Sequence, residues 1–182
     1  MKLETRSFAA EVELRGDDQR TLVGVAVPYG QEARIGPQLV ETFTRGAFAT
    51  TDPAEVVLTV PHPRDNAQLP IGRTVALRDE PDGLHGEWYV PATRDGDEVL
   101  ALAAAGVPLG LSVGFIPLPG GSRYSDGGRR VERRAALLDH VAVVRRPAYA
   151  GARVAALRDA DADELRGLPL LVRVRLAYWQ RR

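Results

Sequence analysis

The chain reads as a mostly β (α+β) domain of about seven to nine short strands with one or two helices. Three observations lead there. Apolar or alternating runs recur at residues 8–14, 21–27, 55–60, 72–78, 84–90, 110–118 and 130–144. Clusters of Gly, Pro and Asp punctuate them, and Asp82-Gly83 stands between two of the runs. Only one segment, residues 96–105, carries both a start and a stop for a helix.

Composition bounds what such a domain does. The 182 residues suffice for one sizeable core, and 45% hydrophobic with 26% charged residues is ordinary globular usage, which argues against disorder. Lys+Arg and Asp+Glu both number 24, which excludes a generally basic nucleic-acid binder. No apolar run reaches the roughly 18 residues of a membrane-spanning helix. The start, Met1-Lys2-Leu3-Glu4-Thr5-Arg6, lacks the apolar stretch of a secretory leader. The absence of cysteine removes disulfides, thiolate metal sites and a cysteine nucleophile. No cofactor is expected.

The elements follow in order. Residues 8–14 and 21–27 flank Arg15-Gly16-Asp17-Asp18-Gln19-Arg20 and read as a hairpin, closed by Pro28-Tyr29-Gly30. A loop is expected from there to Phe43, and Thr44-Arg45-Gly46-Ala47-Phe48 reads as a turn into a short helix. Residues 55–60 form a strand ending at Pro61-His62-Pro63, where two prolines hold the histidine's neighbourhood extended. Residues 72–78 and 84–90 form the second hairpin across Asp-Gly. Asp95 and Glu98 read as a capping box for the helix, which Gly106 and Pro108 stop. A strand at 110–118 is followed by a Gly/Ser-rich loop to Arg129, then one long strand or two over 130–144. After Pro147-Ala148 the character changes. Residues 1–158 are expected as the domain, and 159–182 as an acidic linker with an apolar, arginine-studded tail.

Gly110-Leu111-Ser112-Val113-Gly114 is a literal G-x-S-x-G. The α/β-hydrolase elbow needs a strand before the serine and a helix after it; here the order is reversed, and that fold is rejected. Strand alternation instead puts Leu111, Val113 and Phe115 on a core face, with Ser112 and Gly114 on a small-residue face that leaves room for an approaching group. Taken alone, such a serine reads as a small polar residue on a solvated strand.

Three histidines are present. His85 shares the outward face of its strand with Glu87 and Tyr89. His62 reads equally as a surface loop residue or a functional one. His140 lies in the apolar run Leu137-Leu138-Asp139-His140-Val141-Ala142-Val143-Val144, where a buried ring requires a partner. Strict alternation sends Asp139 and His140 to opposite faces, so that only one addresses a given site. A serine hydroxyl needs an adjacent base, itself oriented by a third group. His62, Ser112 and His140, or Asp139 in its place, can fill those three roles from different strand ends.

Taken together these segments resemble the prohead, or procapsid maturation, proteases of tailed bacteriophages. The resemblance runs over residues 20–158: Gly24-Val25-Ala26-Val27-Pro28-Tyr29, Thr44-Arg45-Gly46-Ala47-Phe48, His62 with Pro70-Ile71-Gly72-Arg73, Gly83-Leu84, Leu111-Ser112-Val113-Gly114-Phe115 and Leu138-Asp139-His140-Val141-Ala142-Val143-Val144, in that order. It implies a serine endopeptidase related in fold to herpesvirus assemblin, with a β-barrel-like core and flanking helices. Such an enzyme is expected to cut scaffold segments or capsid-protein arms, and often itself, inside the immature capsid in the host cytoplasm. Carried over, Ser112 matches the nucleophile and His62 the base. Many phage relatives have an acidic residue where His140 stands, whereas the second histidine looks like the herpesvirus version; His140 is favoured as third member, with Asp139 second. Arg145-Arg146 looks similar to an arginine pair that supports the oxyanion, and a backbone N–H near Ser112, such as that of Val113, is the simpler donor.

Two other classes stand beside this reading. One is a non-catalytic capsid-assembly module of the same fold. The other is a metal-dependent hydrolase using His62, His140 and Asp65 or Asp139, for which ligand spacing is lacking. Partners are expected to be the major capsid protein and scaffold segments, with self-association possible through the tail, and neither nucleic acid nor membrane.

Overall fold

A computed structural model describes residues 2–8, 12–16, 19–60 and 69–145. His62, Asp65, Arg146 and the segment 159–182 lie outside the described residues. The first eight strands are β1 (Glu4–Phe8), β2 (Val12–Arg15), β3 (Thr21–Pro28), β4 (Ala33–Arg34), β5 (Val40–Phe43), β6 (Val57–Thr59), β7 (Gly72–Asp79) and β8 (Gly83–Tyr89), with burial alternating along β2 and β5. The helix α1 (Arg94–Ala104) follows, then β9 (Leu109–Pro117), β10 (Ser122–Ser125), β11 (Arg130–Arg133) and β12 (Ala136–Arg145).

Eight strands form one sheet in the order β1-β9-β12-β6-β7-β8-β3-β2, antiparallel throughout except for the parallel β12–β6 pair. Its edges are β1 and β2, which are consecutive in the chain. Phe8 and Val12 are four residues apart, so the two edges lie within about 14 Å of each other. The sheet therefore curls into a half-barrel, and β3 comes into contact with β1 and β9 across its interior. The second sheet is small, with order β10-β11-β5-β4.

The hairpins expected from 8–14 with 21–27 and from 72–78 with 84–90 are present as β2–β3 and β7–β8, with Val12 opposite Gly24 and Asp79 opposite Leu84. Several expectations need correction. The run 8–14 is not one strand, because its two ends serve opposite edges of the curled sheet and no straight strand can pair with both. The loop expected before Phe43 contains β4 and β5, and the Gly/Ser-rich loop contains β10 and a 3-10 turn at Asp126–Gly128. For 130–144, expected as one long strand or two, the second alternative holds, and the two strands lie in different sheets. Thr44 to Ala49 forms successive turns, closed by bonds from Ala47 N–H to Thr44 O at 3.1 Å and Ala49 N–H to Gly46 O at 3.1 Å. Thr93, not Asp95, caps α1: its hydroxyl accepts from Gly96 N–H at 3.2 Å, which places Asp95 already inside the first turn.

Two contacts tie the layers together. Tyr29, from the Pro-Tyr-Gly segment, donates its hydroxyl to Asp79 Oδ1 at 2.6 Å, and Gly46 N–H donates to the same oxygen at 3.0 Å. Arg45 Nε reaches Asp79 Oδ2 at 3.1 Å. Burial acts against ionisation of Asp79, but the bonds from Tyr29, Gly46 and Arg45 outweigh it and hold the carboxyl below its ordinary range. Burial, then the bond to Asp79, pushes the Tyr29 hydroxyl well up.

The other contact is a buried ion cluster. Glu41 on β5 is 0% exposed and accepts from Arg133 Nε at 2.7 Å and from Arg6 through Nε and Nη2. Arg133 also donates to Glu4 at 2.7 Å and to Ser122 at 2.9 Å. Both guanidinium groups lie over the Phe115 ring, at 5.4 and 5.7 Å from its centroid. Phe115 in turn meets Phe43 edge-on at 5.1 Å, joining the two sheets.

Removing one partner of a buried ion cluster leaves the others as uncompensated charge. Glu41→Ala is therefore expected to cost about 3–5 kcal/mol, read from urea denaturation. A loss below about 1 kcal/mol would mean the cluster behaves as an exposed pair.

Candidate active site

β9 runs between β1 and β12, and its register decides what Ser112 meets. Ser112 stands opposite Ser7 on β1 and Ala142 on β12, while Gly114 stands opposite Thr5 and His140. Residues directly opposite in antiparallel strands share a face. Ser7, Ser112, Gly114, His140 and Ala142 therefore share one face, and Arg6, Leu111, Val113, Phe115 and Val141 the other. Ser112 and His140 are diagonal neighbours, about 7 Å apart along the ladder.

Ser112 is 0% exposed, so the solvated-strand reading does not hold. Its hydroxyl donates to the Arg6 carbonyl at 2.8 Å and accepts from the Ser7 hydroxyl at 2.8 Å. Ser7 was not legible as a site residue: it carries no motif, and only the β1–β9 pairing brings it there. Buried Thr59 of β6, opposite Ala142, extends the same row and donates to Val141 O at 3.4 Å.

His140 is buried, and its ring lies over Gly114: a Cβ on that glycine would sit 2.2 Å from Cε1, 2.6 Å from Nδ1 and 2.7 Å from Nε2. The space that the small-residue face leaves is thus filled by this imidazole. The expectation that Asp139 and His140 diverge is overturned. The β9–β12 register shifts between Leu138 and His140, leaving Asp139 as an extra, unpaired residue. At such a bulge the alternation resets, and Asp139 Oδ2 lies 2.7 Å from His140 Nδ1. The carboxylate stays half-exposed while the ring is buried.

Of the remaining expected residues, His62 and Arg146 lie outside the described residues, as does Asp65. Val60, the last described residue before His62, ends the segment that contains β6, whose Val57, Leu58 and Thr59 pair with His140, Val141 and Ala142. Arg145 closes β12 opposite Leu109, three positions beyond the Ser112 row. Val113 is buried in the core, and its backbone lies between Arg6 and Val141, facing neighbouring strands on both sides. His85 is apart from all of these; its Nε2 lies 2.9 Å from Asp82 Oδ1, a bond that holds Asp82 below its ordinary pKa. Among the described residues no three His, Asp or Glu side chains group as metal ligands, and no helix is long and apolar enough to cross a membrane.

Residues 6–165 match the family model described as caudovirus prohead serine protease. The chain belongs to this family. A solved structure of the bacteriophage T4 capsid assembly protease is similar over 80% of this chain and 98% of that one, with a TM-score of 0.54 and 13% identity. At that identity the likeness is one of fold. No curated protein matches. The family is one of serine hydrolases, and in this prohead protease-family chain the serine of the G-x-S-x-G sits on a buried sheet face beside an imidazole.

Gly114→Ala tests that packing. The added methyl has no room unless the His140 ring moves, so destabilisation of about 1–3 kcal/mol is expected, read from urea denaturation. Wild-type stability in this variant would show that the ring is free to yield.

Proposed function

We propose that this chain is the endopeptidase of procapsid maturation, with Ser112 as nucleophile, His62 as general base and His140 as the group that orients the base. The observation that carries the reading is the shared face: the β9–β12 register sets Ser112 and His140 side by side. The strand on the other side of β12 leads towards His62, two residues beyond Val60 and so within about 7 Å of it along the chain.

Chemically, Ser112 Oγ attacks the carbonyl carbon of the scissile bond while its proton passes to His62. The tetrahedral intermediate collapses as His62 returns that proton to the leaving amine, giving an acyl-enzyme. Water, deprotonated by the same imidazole, then attacks the acyl carbon; the bond to Ser112 Oγ breaks, the imidazole returns the proton to Oγ, and the new carboxyl end is released. For the first step the Ser112 hydroxyl has to turn its proton from the Arg6 carbonyl towards the imidazole. His140 accepts the far N–H of His62 and holds that ring in the productive orientation. Support of the oxyanion is assigned to Arg145 or Arg146; the Val113 amide faces neighbouring strands and is not used.

The T4 relative is a capsid assembly protease, and by extension the substrates here are scaffold segments or arms of the major capsid protein, and the chain itself. The reaction takes place inside the immature capsid in the host cytoplasm.

Ser112→Ala, co-expressed with the capsid precursor, is expected to leave the precursor uncut by mass spectrometry while thermal unfolding stays within a few degrees of wild type. Unchanged processing would overturn the assignment and leave a non-catalytic assembly module of the same fold.

A further inference from the structure

We propose that Asp139 is a positioning residue that acts through His140, selecting the tautomer of that ring. The inference rests on the reading of Ser112 as nucleophile with a histidine base, and deepens it: the two candidates for the third position act in series.

The chemistry follows from one contact. Asp139 Oδ2 lies 2.7 Å from His140 Nδ1. An ionised carboxylate only accepts hydrogen bonds, so in the neutral ring the proton of the pair resides on Nδ1. Nε2 then carries a lone pair. A histidine standing where a carboxylate is usual has to present such a lone pair to the base, because the base's far nitrogen is an N–H donor. With the other tautomer, two N–H groups would face each other. A lone imidazole in the third position thus has one working tautomer and one that fails, and a carboxylate at Nδ1 decides between them.

The fold provides this contact at a defined position. The bulge at Asp139 gives β12 an additional residue where Leu138 pairs with Phe115 and His140 with Gly114. Without it, Asp139 and His140 would point to opposite faces. The ring cannot rotate away freely, since it lies against the Gly114 backbone and is 1% exposed. The titratable group found against His140 among the described residues is Asp139; its strand neighbours across β9 and β6 are Gly114 and Val57. The carboxylate is half-exposed, so its role is directional rather than a deep electrostatic one.

The test uses the full chain and two readouts. With only three histidines in the sequence, nitrogen-15 NMR resolves each ring, and His140→Gln assigns the resonance. The wild type is expected to show His140 as the Nδ1–H form, and Asp139→Ala to move it towards Nε2–H. Labelling of Ser112 by a fluorophosphonate is expected to slow about tenfold at saturation in Asp139→Ala, with the half-saturating concentration within about twofold. Asp139→Glu should restore most of the rate and the wild-type tautomer. The proposal is overturned by an Nε2–H ring in the wild type, by wild-type labelling in Asp139→Ala, or by slowed labelling with an unmoved tautomer. Failure of the underlying reading looks different: Ser112→Ala would then still take up label and process the precursor.

Discussion

One additional residue in β12 governs the arrangement of the site. Before the bulge, Leu138 faces the core against Phe115; after it, Val141 and Val143 face the same core against Val113 and Leu111. Unbroken alternation would put Leu138, His140 and Ala142 on one face. Either the leucine would then leave the core or the imidazole would enter it. The bulge at Asp139 removes that conflict, returning the apolar side chains to the core on both sides while His140 and Ala142 turn towards Ser112. It also brings the displaced residue's carboxylate against the ring. A local irregularity of the kind found beside functional sites thus sets both the core packing and the contact between Asp139 and His140.

The other boundary of the site is β1. It is an edge strand, yet it is held at both levels. Glu4 and Arg6 enter the buried cluster around Glu41 and Arg133, while Ser7 and the Arg6 carbonyl engage the Ser112 hydroxyl from the opposite face. The ion cluster is costly to desolvate and is weak evidence for net stability. Its consequence here is geometric: it joins the small sheet to the edge of the large one and secures the strand that covers the serine. Phe115 takes part from β9, between two guanidinium groups and the Phe43 ring. Serine, cover strand and inter-sheet contact are therefore parts of one packed unit.

Much of this was legible. The β-rich class, both hairpins, the helix, the core face of β9 and the small-residue face beside it follow from period-two patterning and turn chemistry. The serine and His140 stand out because a hydroxyl between glycines and an imidazole in an apolar run both require an explanation. What escaped has identifiable causes. Short strands such as β4 and β10 carry too few residues for a pattern, and they exist because β5 and β11 offer them partners. The Thr93 cap displaced the more obvious Asp95 because Gly96, which has no room for a side chain against Val90, sits at the bonding position.

By itself the sequence determined the fold class, the face on which Ser112 lies and the family resemblance, since each depends on residue type and spacing along one strand. The tertiary structure decided that Asp139 and His140 meet, that Ser7 and Arg6 embrace the serine, and that Tyr29 and Arg45 meet on Asp79. These pairings depend on strand register and sheet curl. A shift of a single residue between strands inverts which side chains meet, and that information resides in packing between segments far apart in the chain.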